Sequence, residues 1–200
     1  MSATRLLVLG VVRMYGRAHG YQVRRELLSW SADKWANVAP GSIYHALKKM
    51  TAERLLEEVA ADAEPGEARG PDRVAYRLTP DGESEFQLMM AKSLSEDDQS
   101  PQGDYRLAAA VTFLPTLTRA KAISLLRHRI TAVRAQEATT RNLVEEAEDW
   151  GQPPHVMELY RFWLITVEAK VTWLQGLVAR LAGGNYVMAD DDGPSFGFPG

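Results

Sequence analysis

The sequence predicts a mainly α-helical protein with one small β-hairpin, an N-terminal unit of short helices and a C-terminal pair of long ones. Three observations predict it. Apolar residues recur at helical spacing through most of the 200 positions. One stretch, residues 73–78 (RVAYRL), alternates with period two directly after a run dense in Gly and Pro. Near the end, Gly151-Gln152-Pro153-Pro154 separates two long stretches whose apolar residues recur at heptad spacing.

Residues 4–16 are apolar nearly all round, which marks a buried helix, and Gly16 can end it. His19 and Gly20 open a second helix reaching about residue 30. Tyr21, Val23, Leu27 and Leu28 lie inward or lateral on it, with Arg24 and Arg25 outward. Residues 31–39 form a polar connection containing Trp35 and Asn37. A third helix spans 40 to about 54, with Pro40 at its first position, where the missing N–H costs nothing. Ile43, Ala46, Leu47 and Met50 form its apolar stripe; Ser42, Tyr44, His45, Lys48 and Lys49 form the opposite face. Such a face suits a helix laid in a DNA major groove. It is equally the face of an ordinary surface helix, and the helix alone leaves both readings open.

Residues 55–62 (LLEEVAAD) are strand-compatible, and 64–71 (EPGEARGP) form a turn. With 73–78 they make a hairpin. A hairpin directly after a third helix is a wing, so residues 1–94 read as a winged helix-turn-helix domain. Thr79-Pro80-Asp81 restarts a helix as N-cap, first position and acidic first turn; this helix carries Phe86, Leu88, Met89 and Met90. Residues 95–104 (SEDDQSPQGD) read as a linker and the domain boundary.

A helical domain follows over 105–182. Its short first helix ends near Pro115. Thr118 then caps a long helix to about 149, with Ile123, Leu126, Ile130 and Val133 on a seam that weakens at Glu137 and Thr140. The last helix, about 155–182, keeps a cleaner seam of Tyr160, Leu164, Val167, Val171, Leu174, Val178 and Leu181. Joined by a four-residue turn, the two helices pair antiparallel. Leu159, Phe162, Trp163, Trp173 and Leu177 fall off the seam and call for a further partner. A second copy of the chain, giving a homodimer, is the simplest one. The Gly/Asp-rich tail, residues 183–200, is expected to be loosely ordered; the alternative is a tail that inserts Phe196 and Phe198 into a partner.

Composition sets the outer limits. Hydrophobic content of 46% and charged content of 24% are those of an ordinary globular protein. With no cysteine, disulfides and thiolate zinc sites are excluded, in keeping with a reducing cytoplasm. The four His residues show no metal-ligand spacing, and no metal or cofactor is expected. No run approaches 18 apolar residues, and no export signal or membrane span is read. A Gly-rich phosphate loop, a GxSxG turn and a His pair on one helix are all missing, so no enzyme is expected. The net charge of −3 is unevenly spread. Residues 1–56 hold nine basic and three acidic groups, a net of +6, which leaves −9 on the remainder. A basic segment on an acidic body can steer to phosphates.

The order of these pieces resembles the PadR family of bacterial transcriptional regulators, specifically its longer members with a helical C-terminal domain. The resemblance rests on Gly20-Tyr21, Gly41-Ser42-Ile43-Tyr44 with Leu47, Arg54-Leu55-Leu56, and Tyr76-Arg77-Leu78-Thr79 with Gly82, over about residues 4–92. Beyond that the likeness is architectural. The chain departs from the family at His45, where Pro is common, at Met50, often Leu, and at Arg54, often Gly. Its wing also mixes Arg69 and Arg73 with Glu64, Glu67 and Asp72.

The resemblance implies a sequence-specific, double-stranded-DNA-binding regulator: a homodimeric repressor of a palindromic operator, released by a small, aromatic effector. Its candidate DNA contacts are Tyr21, Ser42, Tyr44, His45, Lys48, Lys49, Arg69 and Arg73. Ser42 sits near a helix start that favours phosphate, and the lysines can meet phosphate or guanine. For each there is a plainer alternative: a solvated charge for Lys48, Lys49, Arg69 and Arg73, and a packed ring for Tyr21 and Tyr44. Tyr160, Phe162, Trp163 and Trp173 are the candidate effector cage, and dimer core is their alternative. Two further alternatives for the whole chain are a protein-interaction module that has lost DNA binding and a transcriptional activator.

Overall fold

Helix α1 (Ala3–Tyr15) is the axis of the N-terminal unit: Leu6, Leu7, Val8, Leu9, Val11 and Val12 are all fully buried, as a helix apolar all round must be. Ser2 caps its start by accepting the Arg5 N–H at 3.3 Å, and Gly16, at φ 65°, ends it. The computed structural model describes residues 2–60, 74–147, 150–151, 153–193 and 196–197. It divides into two compact units: residues 1–94, 98–118 and 187–200 form one, and residues 95–97 and 119–186 the other.

Against α1 lie α2 (Gly20–Ser29) and α4 (Pro40–Ala52), and the one-turn α3 (Ala32–Trp35) packs on α2. The connection expected to be simply polar thus contains a helical turn. It is pinned by the Trp35 indole, which donates to the Trp30 carbonyl at 2.7 Å. Ser31 and Asn37 flank it at φ 56° and 54°, left-handed conformations that only a surrounding structure holds in non-glycine residues. After α4, Arg54 also sits left-handed, at φ 60°.

The expected hairpin is present as β2 (Leu56–Ala60) and β3 (Val74–Leu78), antiparallel with Leu56 opposite Leu78 and Ala60 opposite Val74. A further strand, β1 (Ala18–His19), pairs with the other edge of β3, so the sheet has three strands in the order β1-β3-β2. Two residues are too few to show alternation in a sequence. The wing tip, with Arg69 and Arg73, lies outside the described residues.

Next is α5 (Pro80–Ser95), opened by Thr79, whose hydroxyl accepts the Gly82 N–H at 3.0 Å. The boundary expected at 95–104 does not mark the edge of the first unit. Ser100 caps, and Pro101 begins, α6 (Pro101–Thr112), four residues earlier than the apolar pattern suggests. Serine as N-cap before proline at the first position is itself a helix-start signature, the same one present at Thr79-Pro80. Helix α6 and the turn after it pack on α1, with Phe113 fully buried against Gly10, and so belong to the N-terminal unit.

The second unit is the long pair α7 (Arg119–Glu146) and α8 (Val156–Ala182). Arg119 donates to the Leu181 carbonyl at 2.6 Å and Arg141 bonds Glu168 at 2.8 Å, so the helices run antiparallel. Ala122, Leu126 and Val133 of α7 are buried, as are Val167, Val171, Leu174 and Leu181 of α8. Two positions differ from expectation. Leu177, read as off the seam, is buried, because at i+3 from Leu174 it shares that face. Arg129 fills an inward position at 2% exposure, donating to the Glu96 carbonyl and, at 3.2 Å, to the buried Asp97 carboxylate.

The tail is not loose where it is described. Met188 is fully buried, the Ala189 N–H donates to the Leu117 carbonyl at 3.1 Å, and the Phe196 ring packs on Trp30 and Phe113 of its own chain's first unit. Phe198 lies outside the described residues. Among the described residues, no helix is long and apolar enough to cross a membrane, and no cluster of three His, Asp or Glu could hold a metal ion.

Candidate nucleic-acid interface

Helix α4 has the two faces its spacing predicts. Ile43, Leu47 and Met50 are buried against α1 and α2, while Tyr44, His45, Lys48 and Lys49 are exposed and Ala46 lies between. Ser42 is half-buried, and its hydroxyl donates to the Ala39 carbonyl at 2.6 Å, leaving its lone pairs as acceptors. The residue capping α4 is Ala39, which offers no side-chain acceptor to the first turn. The positive end of the helix is therefore not satisfied by the protein's own side chains, the condition under which a helix start favours an anion.

Tyr44 combines both of its candidate roles. Its ring packs over Gly20, where a Cβ would lie 3.0 Å from Cε1, yet 41% of the residue stays exposed. It also neighbours Tyr76 of β3, whose phenol is pushed above its ordinary pKa chiefly by burial, then by Glu58 and Tyr44. Tyr21 is exposed at the start of α2, its ring stacked on His19 at 5.6 Å between centroids. The His19 N–H donates to Gln22 Oε1 at 2.7 Å, which fixes this corner of the chain. Tyr21 and Tyr44 thus come from the starts of two helices that pack together.

Sequence spacing did not reveal a groove of ≈ 500 Å³ beside α4. It is lined by Ser42, His45 and Lys49, by Arg5 of α1 and by Glu85 of α5. Arg5 bonds Glu53 at 2.5 Å and lies 3.4 Å from Glu85. The only sequence signal for this grouping is the charge of α1's first turn, and 40 residues separate Arg5 from His45. At the base of the wing, Arg77 is paired across the strands with Glu57 at 2.8 Å, so its charge is already matched within the protein.

The four candidate effector residues are not gathered into one cluster within the chain. Tyr160 and Trp163 are in ring contact at 5.5 Å. Phe162, 63% exposed, points away into solvent. Trp173 is ten residues beyond Trp163 on the same helix, about 15 Å along its axis.

Helices α1, α2 and α4, with the single turn α3 between the last two and a polar outer face on α4, followed by a hairpin that joins a three-stranded sheet, define a winged helix-turn-helix domain. Residues 8–88 match the profile of the transcriptional regulator PadR-like family. This part of the chain is a PadR-like transcriptional regulator domain. No curated protein matches the sequence. Among solved structures, the chain is similar to Bacillus subtilis PadR in complex with operator DNA, at 19% identity, covering 88% of this chain and 98% of that one, with a TM-score of 0.40. It is similar to the same protein in complex with p-coumaric acid at 17% identity, covering 90% and 96%, TM-score 0.38. A PadR-like transcriptional regulator from Bacillus cereus is 17% identical, covering 90% and 99%, TM-score 0.37.

Proposed function

We propose that the protein is a homodimeric, sequence-specific DNA-binding repressor that reads a palindromic operator with α4. The observation that carries this is the exposed Tyr44, His45, Lys48 and Lys49 face at the third-helix position of a PadR-like domain. The uncapped start of α4 and the +6 of residues 1–56 supply the attraction to phosphate. In this reading Ser42 and Tyr21 position the backbone, His45 and the lysines meet base edges or phosphates, and Arg69 and Arg73 reach flanking DNA from the wing.

Dimerisation is supported by α8, which leaves Leu159, Phe162, Trp163, Ile165 and Trp173 exposed on a single chain. A two-fold copy of α8 would cover them and give the assembly two α4 helices, the number a palindromic operator requires. The same pairing would bring Tyr160, Phe162, Trp163 and Trp173 of two chains together, the arrangement an aromatic effector needs in order to bias one packing over another. A band shift on the chain's own promoter region tests the reading. A salt-sensitive shift confined to one palindromic segment supports it; no shift on any promoter fragment favours a protein-interaction module, which the Glu57-paired Arg77 also favours.

A further inference from the structure

The segment after α8 returns to the DNA-binding unit and ends in an aromatic cluster. Phe196 lies 5.7 Å from Trp30 and 6.1 Å, nearly parallel, from Phe113; Trp30 and Phe113 are 6.0 Å apart, and Phe86 closes the group 5.8 Å from Phe113. Beside the rings, the Arg13 guanidinium donates to the Gly197 carbonyl at 2.8 Å and to Glu83 at 2.9 Å. Gly197 is at φ 91°, and a Cβ there would lie 2.6 Å from Thr116 Cγ2, so glycine is needed at that position on two counts. Upstream, Met188 is fully buried and its N–H donates to Asp191 at 2.8 Å. The segment is thus held by a buried Met, a stacked ring and a guanidinium–carbonyl bond, each on the first unit.

What lies beneath gives the contact its meaning. Trp30 is the residue that ends α2, and its carbonyl receives the Trp35 indole. Ser31 and Asn37, both left-handed, flank the α3 turn that this bond pins. A corner that holds two strained non-glycine residues persists only when outside packing fixes it. This corner sets where α4 begins, and Phe196 supplies part of that packing.

We propose that Trp30, Phe113 and Arg13 form a docking site for the Phe196-Gly197 segment of the same chain, and that docking holds the α2–α4 corner in its DNA-binding form. Release of the segment loosens the corner and weakens the grip of α4 on DNA. The half-exposed Phe196 ring (45%) makes the contact a reversible one. The effect on DNA rests on the function proposed above; the docking itself does not.

Three variants test it: Phe196→Ala, Gly197→Ala, and deletion of residues 187–200. The first readouts need no DNA: amide exchange over residues 30–37 and the indole resonance of Trp30. All three variants are expected to speed exchange at the corner, shift that resonance, and weaken operator binding about fivefold or more, the usual scale of a coupled site. A synthetic peptide of residues 187–200 should restore the deletion variant in each respect, and the same peptide with Ala for Phe196 should not. Unchanged corner exchange and an unchanged Trp30 resonance in Phe196→Ala and Gly197→Ala would overturn the docking site. A loosened corner with undiminished operator affinity would overturn the coupling. If the wild-type chain binds no DNA, exchange and the indole resonance still decide the docking. Should the deletion variant fail to fold, the two full-length point variants decide it.

Discussion

Gly82, in the first turn of α5, passes the carbonyl of Leu55 so closely that a Cβ at this position would lie 2.0 Å from the oxygen. Thr79 completes the joint, its hydroxyl donating to the Arg54 carbonyl at 2.7 Å and its N–H to that of Leu55 at 3.1 Å. The start of α5 is thereby locked to the chain leaving α4. Because the obstacle is backbone, it cannot swing aside. Gly82→Ala should destabilise the protein by about 3 kcal/mol, the upper end for overpacking. Gly41→Ala, with nothing within 4 Å of the new Cβ, is the control and should be neutral or gain up to about 1 kcal/mol from helix propensity. Urea unfolding of the pair checks both signs.

Arg54 occupies a left-handed conformation at φ 60°, which glycine adopts without strain. A side chain there costs about 1–2 kcal/mol, of which glycine's extra chain entropy returns about half. Arg54→Gly should therefore raise stability by about 0.5–1 kcal/mol, seen as a higher urea midpoint with an unchanged slope.

Arg129 and Asp97 are a buried pair in the second unit, with side chains 2% and 5% exposed. Removing one partner strands the other's charge. Arg129→Met should cost about 3–5 kcal/mol, whereas Arg129→Met with Asp97→Leu should recover most of that loss. Equal destabilisation in the single and double variants would contradict the pairing.

Asp98 accepts the Ser100 N–H at 2.8 Å and pairs with Arg106, and its carboxyl falls from 3.8 to about 2, chiefly through Ser100 and then through Arg106. Because the folded pKa is depressed, the contribution is complete above pH 3.8 and disappears as pH falls through about 2. Amide exchange at the start of α6 should quicken over that window, and Asp98→Asn should abolish this part of the pH dependence.

These joints show what a sequence makes legible. The two faces of α4 followed from period alone, because the burial of Ile43, Leu47 and Met50 forces Lys48 and Lys49 outward. Thr79-Pro80 marked a helix start by local chemistry, and Ser100-Pro101 carried the same mark inside a stretch whose polarity disguised it. Arg129 was invisible because a charge at a seam position reads as a gap in the pattern, although its partners at 96 and 97 satisfy it. The groove that adds Arg5 to the α4 face, and the return of Phe196 to Trp30, depend on contacts between residues 40 and 166 positions apart. No local pattern encodes such contacts; only the packed structure brings them together.

The most direct test of the central claim is the salt dependence of operator binding by wild type and by Lys48→Gln/Lys49→Gln. If both ammoniums meet phosphates, the slope of log K against log salt should fall in magnitude by about 1.8 in the double variant, roughly 0.9 for each lost contact. Binding should weaken most at low salt, while the urea midpoint stays that of wild type. An unchanged affinity and an unchanged slope would show that α4 does not face the DNA.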